Sequence, residues 1–330
     1  MYRVASMQKS AHLYFHSPCF DGIVSCVLAW DFLEVSQGWS IEDIHSVNYD
    51  IRAIWLSQEL HKPAAVVDFL YHPQAEFWAD HHVTTFLTEE ARKDFKRRKS
   101  SWLICDERSG SCARLLWNHL VHAFTHRNPH YETLVEWADK IDSAQYTSVD
   151  EAVFGRHPAL KINSSLGVKD GTAYYNDLVR LLRHETLEQV VGLPEVRARS
   201  EQAEAMIRAG LERFADGSRL EQDGIAVFDV DSSDVIISRY APYLFFPNAR
   251  YSVGIVRSAK AAAITAMRNP WRDFPSVPLG EIFSKFAGGG HQRVAALVLT
   301  GQRKTDASLI LDQIIREMRK EEERGHDTEP

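Results

Sequence analysis

Cysteine is scarce in this chain and never clustered. Cys19, Cys26, Cys105 and Cys112 include no CxxC pair, which argues against both a disulfide framework and a zinc ribbon. Long apolar runs are missing too: none approaches the roughly 18 residues that cross a bilayer. Met1–Ser10 has no apolar segment behind its basic residues, so neither a signal peptide nor a membrane anchor is indicated, and the cytoplasm is the expected compartment. Positive charge is not in excess. The formal net charge is −7, whereas a domain that grips nucleic acid by bulk electrostatics is expected to be basic; small or short substrates fit better. No P-loop, GxSxG or GxGxxG sequence occurs, which leaves nucleotide-driven, serine-esterase and dinucleotide-dependent chemistry without support.

What is present is an ordinary globular composition, 45% hydrophobic and 25% charged over 330 residues, enough for about two domains with their own cores. The first half alternates short β-type runs with helical patterns, the signature of βαβ units and a mostly parallel sheet. Strands are expected at Leu13–Phe15, Ala64–Asp68, Phe77–Ala79 and Trp102–Cys105, with a weaker one near Ile44–Tyr49. Helices are expected at Gly22–Leu33, at Ser111–Phe124 with Ser109 or Ser111 as N-cap, and at Glu132–Ile141. Residues 1–190 therefore read as one α/β domain and 191–216 as a connecting helix. After Asp216-Gly217 the β-type runs Ile225–Val230, Val235–Ser238, Tyr251–Val256 and Ala262–Met267 return, followed by a helix over Leu279–Phe286. Residues 217–320 thus read as a smaller mixed α/β domain, and 321–330 as a charged tail whose last few residues should fray.

The chemistry concentrates where the first-half strands end. His16, Asp21, Asp68 and the triplet Asp80-His81-His82 each follow a short β-type stretch. In an open α/β sheet the carboxyl ends of parallel strands converge on one crevice, so residues far apart in sequence can meet there. The loop His16–Gly22 offers an imidazole, the Cys19 thiol and a carboxylate at the mouth of a strand, and Gly22 permits close backbone approach. Asp68 ends a buried apolar run, where an unpaired carboxylate is costly and a metal ion would relieve it. Of two adjacent histidines, one can ligate while the other faces substrate. Asp139 and Asp142 end a helix, where negative charge opposes the helix dipole and needs compensation.

This order of features, together with Phe286-Ala287-Gly288-Gly289-Gly290-His291, resembles the DHH phosphoesterase superfamily and its DHHA1 subgroup, which includes oligoribonucleases and bisphosphate-nucleotide phosphatases, over nearly the whole chain. The resemblance implies a parallel-sheet DHH domain followed by a smaller mixed α/β DHHA1 domain, with the active site in the interdomain cleft. It implies a dinuclear centre, usually two manganese ions, although Mg2+, Zn2+ or Fe2+ would also serve. His16, Asp21, Asp68, His81 and Asp142 would be ligands, with Asp68 bridging and Asp139 a rival to Asp142. His82 would act with Asp68 and His81 in catalysis by meeting the phosphate. Gly288, Gly289, Gly290, His291 and Arg257 would bind substrate. Many members carry two aspartates in the first loop; here Cys19 stands in place of the first, and its spacing from His16 is one residue shorter. Cys19 is then either a soft ligand that favours zinc or iron, or a residue that points away and leaves a coordination position open.

The implied function is hydrolysis of phosphate esters on nucleotides or short single-stranded oligonucleotides. The alternatives are a non-catalytic nucleotide-binding protein with a degenerate metal site, or a family member acting on cyclic dinucleotides or pyrophosphate. The sequence leaves the oligomeric state open and is compatible with a homodimer. Other constellations carry less. The basic run Arg92–Lys99 reads as a solvated helix end. His119, His122, His126 and His130 share a helical spacing, but no acid accompanies them and Pro129 ends the helix. Tyr243, Phe245, Phe246 and Trp271 read as core rather than as a base-stacking platform.

Overall fold

Alternation along apolar runs builds the first sheet. In the computed structural model, which describes residues 9–168, 171–290 and 292–326, five strands lie in the order β2-β1-β3-β4-β5: β1 (Ser10–His16), β2 (Ser40–Val47), β3 (Ala64–Val67), β4 (Ala75–Asp80) and β5 (Leu103–Cys105). Every pairing among them is parallel. Leu13, Phe15, Ala65, Val67, Phe77 and Ala79 belong to a core on one face, and Tyr14, Ala64, Val66, Trp78 and Leu103 to a core on the other. Side chains alternate across a strand, so a strand covered on both faces is apolar throughout. That is why Ala64–Val67 reads as an unbroken apolar run.

Helices α1 (Phe20–Asp31), α3 (Cys112–Phe124) and α4 (Glu132–Asp142) cover the first face with Thr172–Leu182, while α2 (Glu89–Arg98) lies against the second through Ala91 and Phe95. β1 is the turning point of the sheet: β2 lies on one side of it and β3 on the other. A strand order that reverses in this way opens a crevice at the carboxyl ends of its central strands. β3 and β4 are joined by 68–74 alone, well short of the dozen or more residues a parallel crossover usually takes. Phe69, Leu70, Tyr71 and His72 fill this stretch and are buried. The short link keeps Asp68 beside the end of β4, where its N–H donates to Ala79 O at 2.9 Å.

A second sheet has the order β10-β11-β9-β8-β7-β6, built from β6 (Ser218–Leu220), β7 (Ile225–Asp231), β8 (Tyr251–Arg257), β9 (Ala261–Arg268), β10 (Gly289–Gly290) and β11 (Val294–Thr300). Only β7 and β8 pair in parallel among these strands. Ile225, Val253, Ile255 and Ile264 pack against Ile282 and Phe283 of helix Leu279–Ser284 and Ile314 and Met318 of helix Ala307–His326.

The chain divides into two units, one running up to Gln145 and including Arg156–Glu201, the other Tyr146–Gly155 with the chain from Gln202 onward. Residues 146–155, expected in the first domain, thus group with the second. Trp271 Nε1 donates to Tyr146 O at 2.9 Å and the Tyr146 and Tyr240 rings meet edge to face. One expected strand is corrected. Val235–Ser238 forms no strand, because the left-handed Asp234 turns the chain out of the sheet and Ile236 N donates to Met206 O of helix Pro194–Asp216. The charged segment up to His326 belongs to the helix Ala307–His326, where Arg319 and Glu322 pair with Asp223 and Arg250; the last residues, expected to fray, lie outside the described residues.

Candidate metal centre

Four pieces of chain end at the crevice. His16 closes β1, Asp68 follows β3, Asp80 closes β4 with His81 and His82 behind it, and Asp142 closes α4; Asp21 lies in the first turn of α1. Asp68 is central. Its Oδ2 is 3.4 Å from His16 Nδ1, and its Oδ1 is 3.8 Å from His81 Nε2 and 3.9 Å from His82 Nδ1. His81 Nε2 also lies 3.2 Å from Asp142 Oδ2 and 3.8 Å from Asp21 Oδ2. Potential ligand atoms gather in three groups, each within 4.8 Å: His16, Cys19 and Asp68; Asp68, His81 and His82; Asp21, His81 and Asp142.

Local backbone explains the convergence. Asp68 has φ 55°, a left-handed conformation that aspartate and asparagine tolerate better than most residues, and this turns its carboxylate off the end of β3. At Gly22 a Cβ would stand 2.1 Å from the His16 carbonyl oxygen and 3.2 Å from Asp68 Oδ2, so only glycine lets the first turn of α1 lie against the end of β1. Asp21 accepts the N–H groups of Cys112 and Ala113 at 2.7 and 2.8 Å, which fixes it at the positive end of α3. Ser111, the N-cap of α3, accepts from Arg114 N. His81 is oriented through Nδ1, 3.2 Å from Ser109 O, and His82 through Nδ1, 2.8 Å from Asp80 Oδ1.

The inner surface of this cluster has polar atoms without partners. His16 Nδ1, both carboxylate oxygens of Asp68, Asp80 Oδ2 and His81 Nε2 are buried and accept or donate no hydrogen bond within the protein. Asp21, Asp68 and Asp80 are each at most 1% exposed, and leaving such groups unpaired is expensive. The titration behaviour records the same crowding. Burial, followed by the charges of Asp21, Asp80 and Asp142, pushes the Asp68 carboxyl well above its ordinary range. Burial and the Asp142 charge raise Asp21 to about 6, and burial, with a contribution from His82, lowers His16 to about 4. At His81 burial opposes the proton, but the adjacent Asp142 carboxylate, with Asp21 and Asp80, outweighs it and raises the group to about 9. Buried carboxylates and imidazoles with free lone pairs facing one another are the donor set that divalent cations use. The residues fit such ions.

No family model and no curated protein matches this sequence. Solved structures do match. The pGpG-specific phosphodiesterase PggH from Vibrio cholerae superposes with a TM-score of 0.65 at 18% identity, over 94% of this chain and 99% of that one. The chain has the DHH phosphoesterase fold. RecJ from Thermus thermophilus in complex with Mn2+ matches with a TM-score of 0.54 at 14% identity, over 93% of this chain and 52% of RecJ. An exopolyphosphatase-related protein from Bacteroides fragilis matches with a TM-score of 0.50 at 13% identity, over 94% of this chain and 92% of that one.

Against this DHH frame, Asp139 stands outside the three ligand groups: its carboxylate accepts from Ser111 Oγ at 3.2 Å and Arg114 Nε at 3.4 Å. Asp142, one helical turn further on, is the acid that faces His81. Arg257 is held by Asp229 in a bidentate pair at 2.6 and 2.7 Å. Gly289–Gly290 is paired with β11, and a Cβ on Gly290, φ 148°, would overlap Val294 O at 2.3 Å; chain packing by itself accounts for this glycine. His291 lies outside the described residues. The four spaced histidines do not converge, because α3 ends at Phe124 and His126 turns to Asp31 at 2.9 Å while His119 meets Ser101 O. Asp80 is the residue the sequence reading left without a role, although a buried acid closing an apolar strand is a visible signal.

Proposed function

We propose that this chain is a phosphoesterase that hydrolyses phosphate esters of nucleotides or short oligonucleotides with two divalent metal ions. The observation that carries the reading is Asp68: a fully buried carboxylate whose two oxygens, both without partners in the protein, face different imidazoles, Oδ2 toward His16 and Oδ1 toward His81 and His82. A carboxylate so placed can be shared between two ions. His16 would hold one, His81, Asp21 and Asp142 the other, and Asp68 both. When bound, such ions act as Lewis acids toward the phosphoryl oxygens and activate water for in-line attack on phosphorus.

The chain's own residues then do the positioning. Ser109 O takes one side of the His81 ring, so that Nε2 is the nitrogen turned to the carboxylates. Asp80 holds His82 through Nδ1 and so orients the ring, which would meet a phosphoryl oxygen and its developing charge. α3 directs its N-terminal N–H groups at Asp21 and keeps that carboxylate ionised as a ligand. That PggH is a pGpG-specific phosphodiesterase supports a diester substrate, and the Mn2+ in RecJ supports manganese as one of the ions. Linear dinucleotides are the first substrates to try. A panel of linear and cyclic dinucleotides, 3′,5′-bisphosphate nucleotides and pyrophosphate with Mn2+ would identify the ester.

Asp68→Asn tests the reading, because asparagine also tolerates the left-handed backbone and should fold. Losing the shared carboxylate removes several kcal/mol of transition-state stabilisation, so kcat/KM should fall at least roughly 1,000-fold while the circular dichroism spectrum is kept. Metal analysis should give two ions per wild-type chain. Equal, background turnover in both proteins, with nucleotide still bound, would instead identify a binding protein.

A further inference from the structure

The two halves of the centre differ in the chemistry of their donors. On one side of Asp68 stand the His16 imidazole and the Cys19 thiol, with nitrogen, sulfur and a carboxylate oxygen all within 4.8 Å of one another. The other half is oxygen-rich, with Asp21 and Asp142 around His81. Cys19 sits at the N-cap of α1, but its side chain makes no capping hydrogen bond. It is the one cysteine among the described residues that joins a ligand group; Cys112, by comparison, spends its S–H on Ala79 O at 3.3 Å. Asp68 Oδ2 and His16 Nδ1 are buried and lack hydrogen-bond partners in the protein.

Thiolate ligands select zinc, cobalt or ferrous ions, whereas carboxylate-rich sites suit manganese and magnesium. We infer that the centre is built for a mixed pair: a thiolate-binding ion of the zinc class on His16, Cys19 and Asp68, and an oxygen-preferring ion such as manganese on Asp21, Asp68, His81 and Asp142. This deepens the two-ion reading and rests on it. On binding, the Cys19 thiol gives its proton to solvent and the sulfur lone pair goes to the ion, with no change in oxidation state. The bridging carboxylate then joins a softer and a harder centre.

Cobalt(II) reports on this directly, because a cobalt–thiolate bond gives a near-ultraviolet charge-transfer band. The full chain, stripped with chelator and kept free of oxygen, is titrated with Co2+ while bound cobalt is counted. The band is expected to grow through the first equivalent and stop, while a second equivalent binds without adding to it. Cys19→Ser should bind cobalt without the band. With one equivalent of Zn2+ and an excess of Mn2+, wild-type protein should retain one of each, and Cys19→Asp should load manganese in both positions. Two cobalt ions bound with no band in the wild type would overturn the mixed pair and leave the two-ion reading standing. A band that survives in Cys19→Ser would also overturn it, by assigning the sulfur to another cysteine. Protein that binds no cobalt would overturn both readings. The wild-type band needs no variant, so a misfolded substitution cannot obscure the result.

Discussion

Single residues in this protein act mainly through what surrounds them. Gly22 has no functional group, yet the His16 carbonyl occupies the place of its missing Cβ. Gly22→Ala should therefore push the end of β1 from the start of α1, with an overpacking cost of about 1–3 kcal/mol and weaker metal binding because His16 moves. Chemical denaturation in chelator, followed by metal titration, separates the two effects. Asp31, on the same helix and remote from the centre, is a purely structural acid. Burial raises its pKa, but hydrogen bonds from His126, Tyr131 and Asn128 prevail and the carboxyl titrates below its ordinary value. A carboxyl depressed on folding binds fewer protons folded than unfolded, so its contribution is complete above the unfolded value of about 3.9. It disappears as pH falls from there through the lower folded value. Asp31→Asn should thus lower stability at neutral pH and flatten the acid limb of a plot of stability against pH, as urea melts from pH 2 to 7 would measure.

At the scale of elements, the N-terminus of α3 serves both stability and the site. Ser111 caps it through Arg114 N, and Asp21 satisfies the N–H groups of Cys112 and Ala113 from across the crevice. These roles separate by mutation. Ser111→Ala should cost about 1 kcal/mol with metal stoichiometry unchanged. Asp21→Ala should cost more even in chelator, about 1–3 kcal/mol for each buried N–H left without an acceptor, and should also lose an ion. Asp21→Asn, which keeps an acceptor oxygen, should recover part of the stability. Thermal melts with and without Mn2+ distinguish the three variants. The basic run Arg92–Lys99 is explained at this scale too. It makes up most of α2 and ends with Lys96, Arg97 and Arg98 in the last turn, where cations complement the helix dipole, and Arg98 reaches back to Pro73 O and Ala75 O at 2.6 Å.

For the whole molecule, the cluster of Asp21, Asp68, Asp80 and Asp142 is a local instability that folding creates and that bound ions would relieve. Ligands that bind only the folded state stabilise it by mass action, about 2.7 kcal/mol at 100 times the dissociation constant. Mn2+ or Zn2+ should accordingly raise the melting temperature, and chelator should lower it. The protection is expected in the first unit: hydrogen exchange should slow at the ends of β1, β3 and β4 and in the first turn of α3, while β7–β9 of the second unit stay unchanged. Uniform slowing across both sheets would contradict a site confined to the first unit. Among the described residues no helix is long and apolar enough to cross a membrane.

The sequence by itself determined the parallel sheet and the positions where its strands deliver acids and imidazoles. A strand buried on both faces must be apolar at every residue, and a charged residue just past such a strand is visible in the order of residues alone. His16, Asp68, Asp80 and His81 were legible for that reason. Tertiary structure decided what depends on direction rather than order. Asp139 and Asp142 are both acids at the end of one helix, and only the packing of α4 turns Asp142 toward His81 and Asp139 toward Arg114. Cys19 could have pointed either way from its loop until Gly22 brought α1 against β1 and placed the thiol beside His16 and Asp68. The grouping of 146–155 with the second sheet was likewise invisible, because it depends on contacts with Tyr240 and Trp271 about a hundred residues away, and no local pattern encodes a contact at that range.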